Sequence, residues 1–154
     1  MTASCPISPD VVDDRATRIG AALVILAAIA GLWSSRLWIP LALALDFALR
    51  SRGKTAFSPI AQLAKALRKA SGLEPVPINA GPKRFAALVG AIFSLVIAVS
   101  LFLSLPRLAL AAAAILILCA ALEAFLGFCV GCKVYSLLQP LAARTTAPTE
   151  APKP

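Results

Sequence analysis

A pair of thiols carries the clearest chemical signal in this sequence. Cys129 and Cys132 form a C-x-x-C pattern between glycines, in the run GFCVGCK at positions 127–133. On one helix the two thiols would share a face, close enough for a dithiol to disulfide cycle or for two bonds to a metal ion. The pattern therefore favours thiol chemistry. The alternative is that two small polarizable side chains only pack the end of a helix.

The glycines beside this pair leave two backbone conformations open. If they break the helix, a new turn starts near Cys132, and its free N–H groups together with Lys133 favour a thiolate. If the helix continues without a break, the negative end of its dipole opposes the thiolate.

The two other cysteines occupy different settings. Cys5 belongs to the N-terminal segment 1–18, which the topology described below puts on the same side of the membrane as Cys129 and Cys132. Because the cytoplasm is reducing, we expect these three thiols to take part in chemistry and not to form a structural disulfide. They are also the candidate metal ligands, but a closed zinc site would need a fourth ligand. Cys119 lies within an apolar segment, where packing is its expected role.

Two acids lie inside or at the edge of apolar segments and are candidates to support the thiols. An ionised carboxylate costs about 2.5–3.5 kcal/mol at the centre of a membrane helix, so Asp46 and Glu123 need partners. Arg50 follows Asp46 by four residues on the same helical face, which allows a simple ion pair. Glu123 has no such neighbour on its own helix. Three donors elsewhere are candidates to bind it: Asn79, Arg18 and Lys133.

Several classes of chemistry are excluded by composition. The chain contains no histidine, which excludes His-ligated haem, His-based metal sites and a Ser-His-Asp triad. It also lacks a glycine-rich phosphate-binding loop, and we expect no bound cofactor. The net charge of +8 does not predict binding to nucleic acid, because eight of the fifteen basic residues lie between Arg50 and Arg84. That clustering is typical of a cytoplasmic loop in a membrane protein.

The composition predicts a protein in the lipid bilayer. Of its 154 residues 60% are hydrophobic and 14% are charged, against roughly 45–50% and 25% in soluble domains. We predict an all-α membrane protein with about four transmembrane helices and a short amphipathic cytoplasmic interfacial helix, in a single membrane domain over 19–138. The predicted spans are 19–34, 37–50, 85–105 and 108–130, and the interfacial helix is 59–71. The second span is short for a hydrocarbon core of about 30 Å.

The loop between the second and third spans sets the predicted orientation. Its lysines and arginines keep it in the cytoplasm, so four crossings put both termini there as well. The proline-rich tail 139–154 is expected to be disordered. Four short spans leave little room for a substrate cavity of several hundred cubic ångströms, which favours exchange with a partner or transport by a homo-oligomer over metabolic catalysis. Whether the protein is an enzyme stays open.

Five short patterns spread along the chain carry a family resemblance. They are Cys5-Pro6, Val12-Asp13 with Arg18, Ser58-Pro59, GPKRFA at 81–86 with Gly90, and GFCVGC at 127–132. Together they resemble the domain of unknown function 4395 family of bacterial membrane proteins, over nearly the whole chain from Cys5 to about Gln139. The resemblance implies a small multi-span protein of the bacterial inner membrane whose relatives are often encoded beside thioredoxin-like proteins and sulfurtransferases. It also implies a thiol relay or sulfur carrier in which Cys5 resolves or docks.

Three hypotheses of function follow. The first is a membrane thiol-redox or sulfur-relay protein that uses Cys129, Cys132 and Cys5, supported by Asp46 or Glu123, with a thioredoxin-like or sulfurtransferase partner. The second is a small oligomeric transporter or channel component for a sulfur species or metal ion, which requires the acids to face an interior cavity. The third is a metal-binding membrane scaffold.

Overall fold

A computed structural model describes residues 11–34, 36–134 and 137, and most of these are helical. The predicted all-α membrane fold is confirmed. The five α-helices with defined bounds are α1 (Asp14–Ser34), α2 (Trp38–Ser51), α3 (Pro59–Ala70), α4 (Ala80–Phe102) and α5 (Pro106–Leu126). A 3-10 turn at Thr55–Phe57 precedes α3, and residues 130–134 form a further helical segment.

The four longest helices pack as an up-and-down bundle. Going round the bundle, α1 contacts α2, α2 contacts α4, α4 contacts α5, and α5 contacts α1, while α3 lies against α1. Many buried positions hold alanine or glycine. For example, a Cβ atom at Gly31 of α1 would lie 3.1 Å from Ile39 Cγ2 of α2. Small side chains at these contacts let neighbouring helices approach closely, as is common within membranes.

Three of the helices are long and apolar enough to cross a membrane, namely α1, α4 and α5. The second predicted span corresponds to α2, whose 14 residues extend about 21 Å at 1.5 Å per residue. Its two ends nevertheless lie beside the ends of its longer neighbours, since Ile39 contacts Gly31 of α1 and Gly53, just beyond α2, adjoins Arg84 of α4. The structure is therefore that of a multi-pass membrane protein with three long helices and one short one.

Most charged residues gather at one end of this bundle, which we call the charged end. It comprises the N-terminal ends of α1 and α4, the C-terminal ends of α2 and α5, and α3. The opposite end holds the turns between α1 and α2 and between α4 and α5. Trp33 and Trp38 lie there with 90% and 64% of their surface exposed, as expected for aromatic anchors at a membrane interface.

A short sheet at the charged end was not predicted. Strand β1 (Val11–Asp13) pairs antiparallel with β2 (Pro77–Asn79), in the register Val12 opposite Ile78. The proline-rich segment before α4 is therefore extended, as its sequence suggests, but it is also paired. This pairing depends on residues more than sixty positions apart, so local patterns do not reveal it.

The surface helix α3 begins as predicted and packs lightly on the bundle. The Ser58 hydroxyl accepts a hydrogen bond from the Ala61 N–H, which caps the helix. Ala64 is buried against α1, whereas Leu63 and Leu67 are 50% and 40% exposed in the isolated chain. Such exposed leucines next to basic residues are typical of a helix lying in the interface of a lipid bilayer.

The last long helix ends earlier than predicted. α5 stops at Leu126 and not near Val130, because Gly127 adopts a left-handed backbone with φ of 65°. The Gly127 N–H donates to the Glu123 carbonyl, and the Phe128 N–H donates to the Leu122 carbonyl. Of the two backbone conformations left open by the sequence, the structure therefore has the broken helix.

Candidate functional site

The C-x-x-C segment is held against α4 by a close backbone approach. After the break at Gly127 the chain turns, and residues 130–134 are again helical, with the Lys133 N–H donating to the Cys129 carbonyl over 3.2 Å. A Cβ atom built on Gly131 would lie 2.7 Å from Ala86 Cβ and 2.8 Å from Ala86 Cα. Real Cβ atoms do not approach this closely, so the second glycine of the motif is required for the thiol segment to pack on α4.

The end of α5 is fixed from the opposite side by Arg18 of α1. Its Nε donates to the Ala124 carbonyl over 3.3 Å and its Nη2 donates to the Phe125 carbonyl over 3.0 Å. These carbonyls have no partner within the helix because α5 ends there. The guanidinium also complements the negative end of the helix dipole. Arg18 thus anchors the backbone from which the thiol segment begins.

Cys129 and Cys132 lie in contact with each other and have different environments. Cys129 is buried and Cys132 is half-buried, and neither forms a disulfide. The Cys132 thiol donates a hydrogen bond to the Cys129 sulfur, which lowers the pKa of Cys129 although burial acts in the opposite direction. The same hydrogen bond raises the pKa of Cys132, as does its burial. The pair therefore favours a thiolate on Cys129 while Cys132 keeps its proton.

An ion-pair cluster lies next to the thiols. Lys83 of α4 places its Nζ 2.6 Å from Glu123 Oε1 of α5 and 3.4 Å from Asp14 Oδ1 of α1. Lys83 favours a negative charge on Cys129 and Glu123 disfavours it, so both charges act on the thiol. One lysine therefore joins three helices at the charged end and puts an ammonium group beside the thiol pair.

Glu123 has an ion-pair partner that is not one of the three donors considered from the sequence. Asn79 caps α4 by accepting a hydrogen bond from the Gly81 N–H over 2.8 Å, and Arg18 binds carbonyls at the end of α5. The partner is Lys83, forty positions away in the chain. It was missed because no local spacing connects it to Glu123, although it belongs to the GPKR run that contributed to the family resemblance.

Asp46 belongs to a separate buried cluster. Its Oδ2 lies 2.6 Å from Arg50 Nη2, so the simple ion pair considered for this residue is present. Its Oδ1 accepts hydrogen bonds from the Ser58 hydroxyl over 2.6 Å and from the Ile60 N–H over 3.1 Å. Asp46 is only 2% exposed and joins α2 to the start of α3. These contacts do not bring it together with Cys129 and Cys132.

A cavity of about 550 Å³ lies within the bundle. The expectation that four short helices leave little room was wrong. Small residues face this space from three helices and leave a gap between them: Ala21, Ala87, Gly90 and Ala120. Lys83, Glu123 and Cys129 line the cavity at the charged end, and Cys119 lines it deeper along α5. Asp46 is not part of the lining.

The described residues contain no group of three or more His, Cys, Asp or Glu side chains placed to hold a metal ion. Cys129 and Cys132 supply two thiols. Cys5, the third thiol of the predicted set, lies outside the described residues, as do the tail 139–154 and most of the segment 1–18.

The chain matches the model of the family described as Domain of unknown function (DUF4395) over residues 12–140. The chain belongs to this family. The matched range includes every residue of the thiol and ion-pair clusters described above. No curated protein and no solved structure matches the chain.

In this member of the DUF4395 family, two of the short patterns behind the resemblance meet at the charged end. The run at 81–86 supplies Lys83 and the Ala86 surface, and the run at 127–132 supplies Gly131 and the two thiols. Residues far apart in the chain thus form one site. The site contains a thiol pair, a lysine and a carboxylate beside an internal cavity.

Proposed function

We propose that this DUF4395 protein is a thiol-exchange protein of the bacterial inner membrane, in which Cys129 and Cys132 exchange electrons or sulfur with a soluble partner. The single observation that carries the proposal is the position of the thiol pair, in which Cys129 is buried on the cavity and Cys132 is half-buried beside it. A thiolate is the nucleophile in thiol exchange, and a neighbouring protonated thiol is ready to resolve the mixed disulfide. Lys83 supports the role because its ammonium group favours the thiolate.

The exchange proceeds in two displacement steps. The Cys129 thiolate attacks one sulfur of a disulfide on the partner, so that a Cys129–partner bond forms and a partner thiolate leaves with the electron pair. Cys132 then passes its proton to that thiolate and attacks the Cys129 sulfur. This forms the Cys129–Cys132 disulfide and releases the second partner thiolate. Two electrons and one proton pass to the partner, and the same steps in reverse reduce the disulfide.

A persulfide on the partner would react through the same nucleophile. The Cys129 thiolate attacks the outer sulfur, the S–S bond of the donor breaks, and the donor leaves as a thiolate while Cys129 carries the sulfane sulfur. Thioredoxin-like proteins and sulfurtransferases are the partner classes that present these two groups. Cys5 is proposed to resolve or dock the partner, and Glu123 to support the site by holding Lys83 in place.

The charge distribution supports an orientation with the thiols on the cytoplasmic side. The basic residues of α3 and of the adjoining ends of α2 and α4 gather at the charged end, and the positive-inside rule assigns that end to the cytoplasm. The thiols then face a reducing compartment, where disulfides are transient and catalytic or sensing. Labelling of Cys132 from each side of sealed vesicles tests this, since labelling only from outside would overturn the orientation.

The test of the exchange itself is the thiol state of the purified full-length protein. The protein is equilibrated with a series of reduced to oxidised glutathione ratios and then with a persulfide donor, quenched by alkylation, and its peptides are measured by mass spectrometry. We expect a reversible Cys129–Cys132 disulfide, and a persulfide on Cys129 but not on Cys119. In Cys129→Ser neither product should form at the pair. Thiols that stay unmodified at all ratios would overturn the proposal.

The cavity supports a second candidate, a small oligomeric transporter for a sulfur species. Lys83 and Glu123 line a space that leads from the charged end into the bundle, as a transport path requires. Proteoliposomes should then take up thiosulfate, and Lys83→Met should abolish the uptake. Uptake equal to that of empty liposomes would remove this candidate.

A further inference from the structure

The cavity is divided into a charged and an apolar part. Its charged lining residues all come from the charged end: Arg50, Lys83, Arg84 and Glu123. Its deeper wall is apolar and comes from four helices: Val24, Phe47, Phe93 and Leu116. Lys83 and Phe93 stand ten residues apart on α4, so the space extends about 15 Å from the charged end at 1.5 Å per residue.

The shape and depth of the cavity define the chemistry of its occupant. The apolar part lies between helices that are apolar enough to cross the bilayer, so a molecule that fills it has an apolar portion of matching length. Its head must be polar, since it would lie among Lys83, Glu123 and Cys129. A volume of about 550 Å³ falls within the usual range of about 300–1,000 Å³ for small-molecule sites.

The thiol pair adds a redox requirement. Cys129 lines the cavity, whereas its half-buried neighbour Cys132 does not. Cys129 is therefore the thiol of the pair that a molecule in the cavity would meet. A dithiol gives up two electrons when it becomes a disulfide, so a ligand that oxidises the pair from the cavity has to accept two electrons.

We infer that the cavity binds an isoprenoid quinone of the membrane, and that this quinone is the electron acceptor for the Cys129–Cys132 dithiol. This inference rests on the proposed thiol exchange and names the molecule that oxidises the Cys129–Cys132 dithiol. A quinone has the required parts: a polar ring with two carbonyl oxygens, an apolar tail, and a capacity for two electrons. Electrons would then pass from a soluble dithiol partner through the pair to the quinone.

The reaction balances as follows. The Cys129 thiolate adds to a ring carbon of the quinone, forming an S–C bond and placing negative charge on a ring oxygen near Lys83. Cys132 loses its proton and attacks the Cys129 sulfur, so the S–S bond forms, the S–C bond breaks, and its electron pair enters the ring. One proton from Cys132 and one from solvent at the charged end complete the hydroquinone.

A matched set of variants distinguishes the effect of filling the cavity from effects on the thiol pair. Cys119 lines the cavity and is half-buried, so Cys119→Phe places a ring in the proposed quinone site. Cys119→Ala removes the same thiol without filling the space. Leu118 is 62% exposed and does not line the cavity, so Leu118→Phe adds a ring to the neighbouring position on the outer surface of α5.

The experiment mixes the reduced full-length protein in lipid nanodiscs with decylubiquinone under anaerobic conditions. The ring of this quinone is fully substituted, so it does not arylate thiols permanently. We measure the loss of quinone absorbance and the Cys129–Cys132 disulfide by mass spectrometry. The wild-type protein should form about one disulfide per quinone reduced. Cys119→Phe should slow this reaction at least tenfold and far more than Cys119→Ala does, whereas Leu118→Phe should remain within about twofold of wild type.

Glutathione exchange measured on the same samples distinguishes the possible failures. If the pair exchanges with glutathione but decylubiquinone does not oxidise it, the quinone inference is wrong and the proposed thiol exchange stands. If neither reaction occurs, both are wrong. If Cys119→Phe exchanges normally with glutathione and is oxidised by the quinone at the wild-type rate, the thiol site is folded and the cavity is not the quinone site.

Discussion

Replacing Cys132 with alanine removes the hydrogen bond that favours the Cys129 thiolate, so the pKa of Cys129 should rise. A hydrogen bond to a charged group contributes about 1.5–3 kcal/mol, and each pKa unit corresponds to about 1.4 kcal/mol. Because sulfur is a weak hydrogen-bond donor, we take the lower limit of this range and expect a rise of about one pH unit. Lys83 and Glu123 also act on this thiol, and both remain in the variant.

The assay follows alkylation of Cys129 by iodoacetamide across a pH series in the full-length protein. The thiolate is the reactive form, so the rate rises with pH and its midpoint reports the pKa. Peptide mass spectrometry separates Cys129 from Cys5 and Cys119. Below the midpoint, Cys132→Ala should react about tenfold more slowly than wild type.

Cys132→Ser is the matched control because a serine hydroxyl can still donate to the sulfur. Its midpoint should lie within a few tenths of a pH unit of wild type, although this variant also cannot form the disulfide. Equal midpoints in the wild type and in both variants would show that the hydrogen bond does not control the thiolate. If the alkylation midpoint shifts equally in Cys132→Ala and Cys132→Ser, the effect comes from loss of the Cys132 sulfur and not from loss of a hydrogen-bond donor.

Three further predictions concern the groups that hold the site together. Gly131→Ala should lower the free energy of unfolding by about 1–3 kcal/mol, because the added methyl group collides with Ala86. Adding Ala86→Gly should restore part of this stability, which is measured by thermal unfolding in detergent. Lys83→Met should cost about 3 kcal/mol or more by leaving Glu123 as a poorly solvated charge, and Glu123→Gln added to it should recover stability in a double-mutant cycle. Asp46→Asn should cost about 3–5 kcal/mol yet leave the midpoint of Cys129 alkylation unchanged.

Each of these has an outcome that contradicts it. Normal stability of Gly131→Ala would mean that the thiol segment does not pack on α4. Additive effects at Lys83 and Glu123 would exclude a direct interaction between them. A shifted alkylation midpoint in Asp46→Asn would place that acid in the thiol site after all.

Membrane insertion and helix formation depend on local composition, so they could be predicted from the sequence. In lipid, an uninterrupted apolar segment has to pair its backbone N–H and C=O groups within a helix, whatever the rest of the chain does. Short-range signals were also sufficient for the start of α3 at Pro59 and for the Asp46–Arg50 pair at four-residue spacing. Only neighbouring positions are involved in each of these features.

The site could not be predicted from local patterns, because its residues come from distant positions in the chain. Glu123 forms an ion pair with Lys83, which lies forty residues away in the chain, and the thiol segment packs against Ala86 of α4. No periodicity within a helix specifies which of several basic residues will meet a given acid. The cavity likewise depends on where small residues of different helices face one another, and that is set by packing angles and register.

The sequence by itself determined that this chain is an all-α membrane protein with its basic residues at one side and a thiol pair near its C-terminal end, because these features follow from composition and short-range spacing. Tertiary structure alone decided that Lys83 stands beside Cys129, that Asp46 serves a different cluster, and that a cavity opens next to the thiols. The physical reason is that electrostatic pairing and cavity shape depend on distances between helices, which helix packing fixes and local sequence does not.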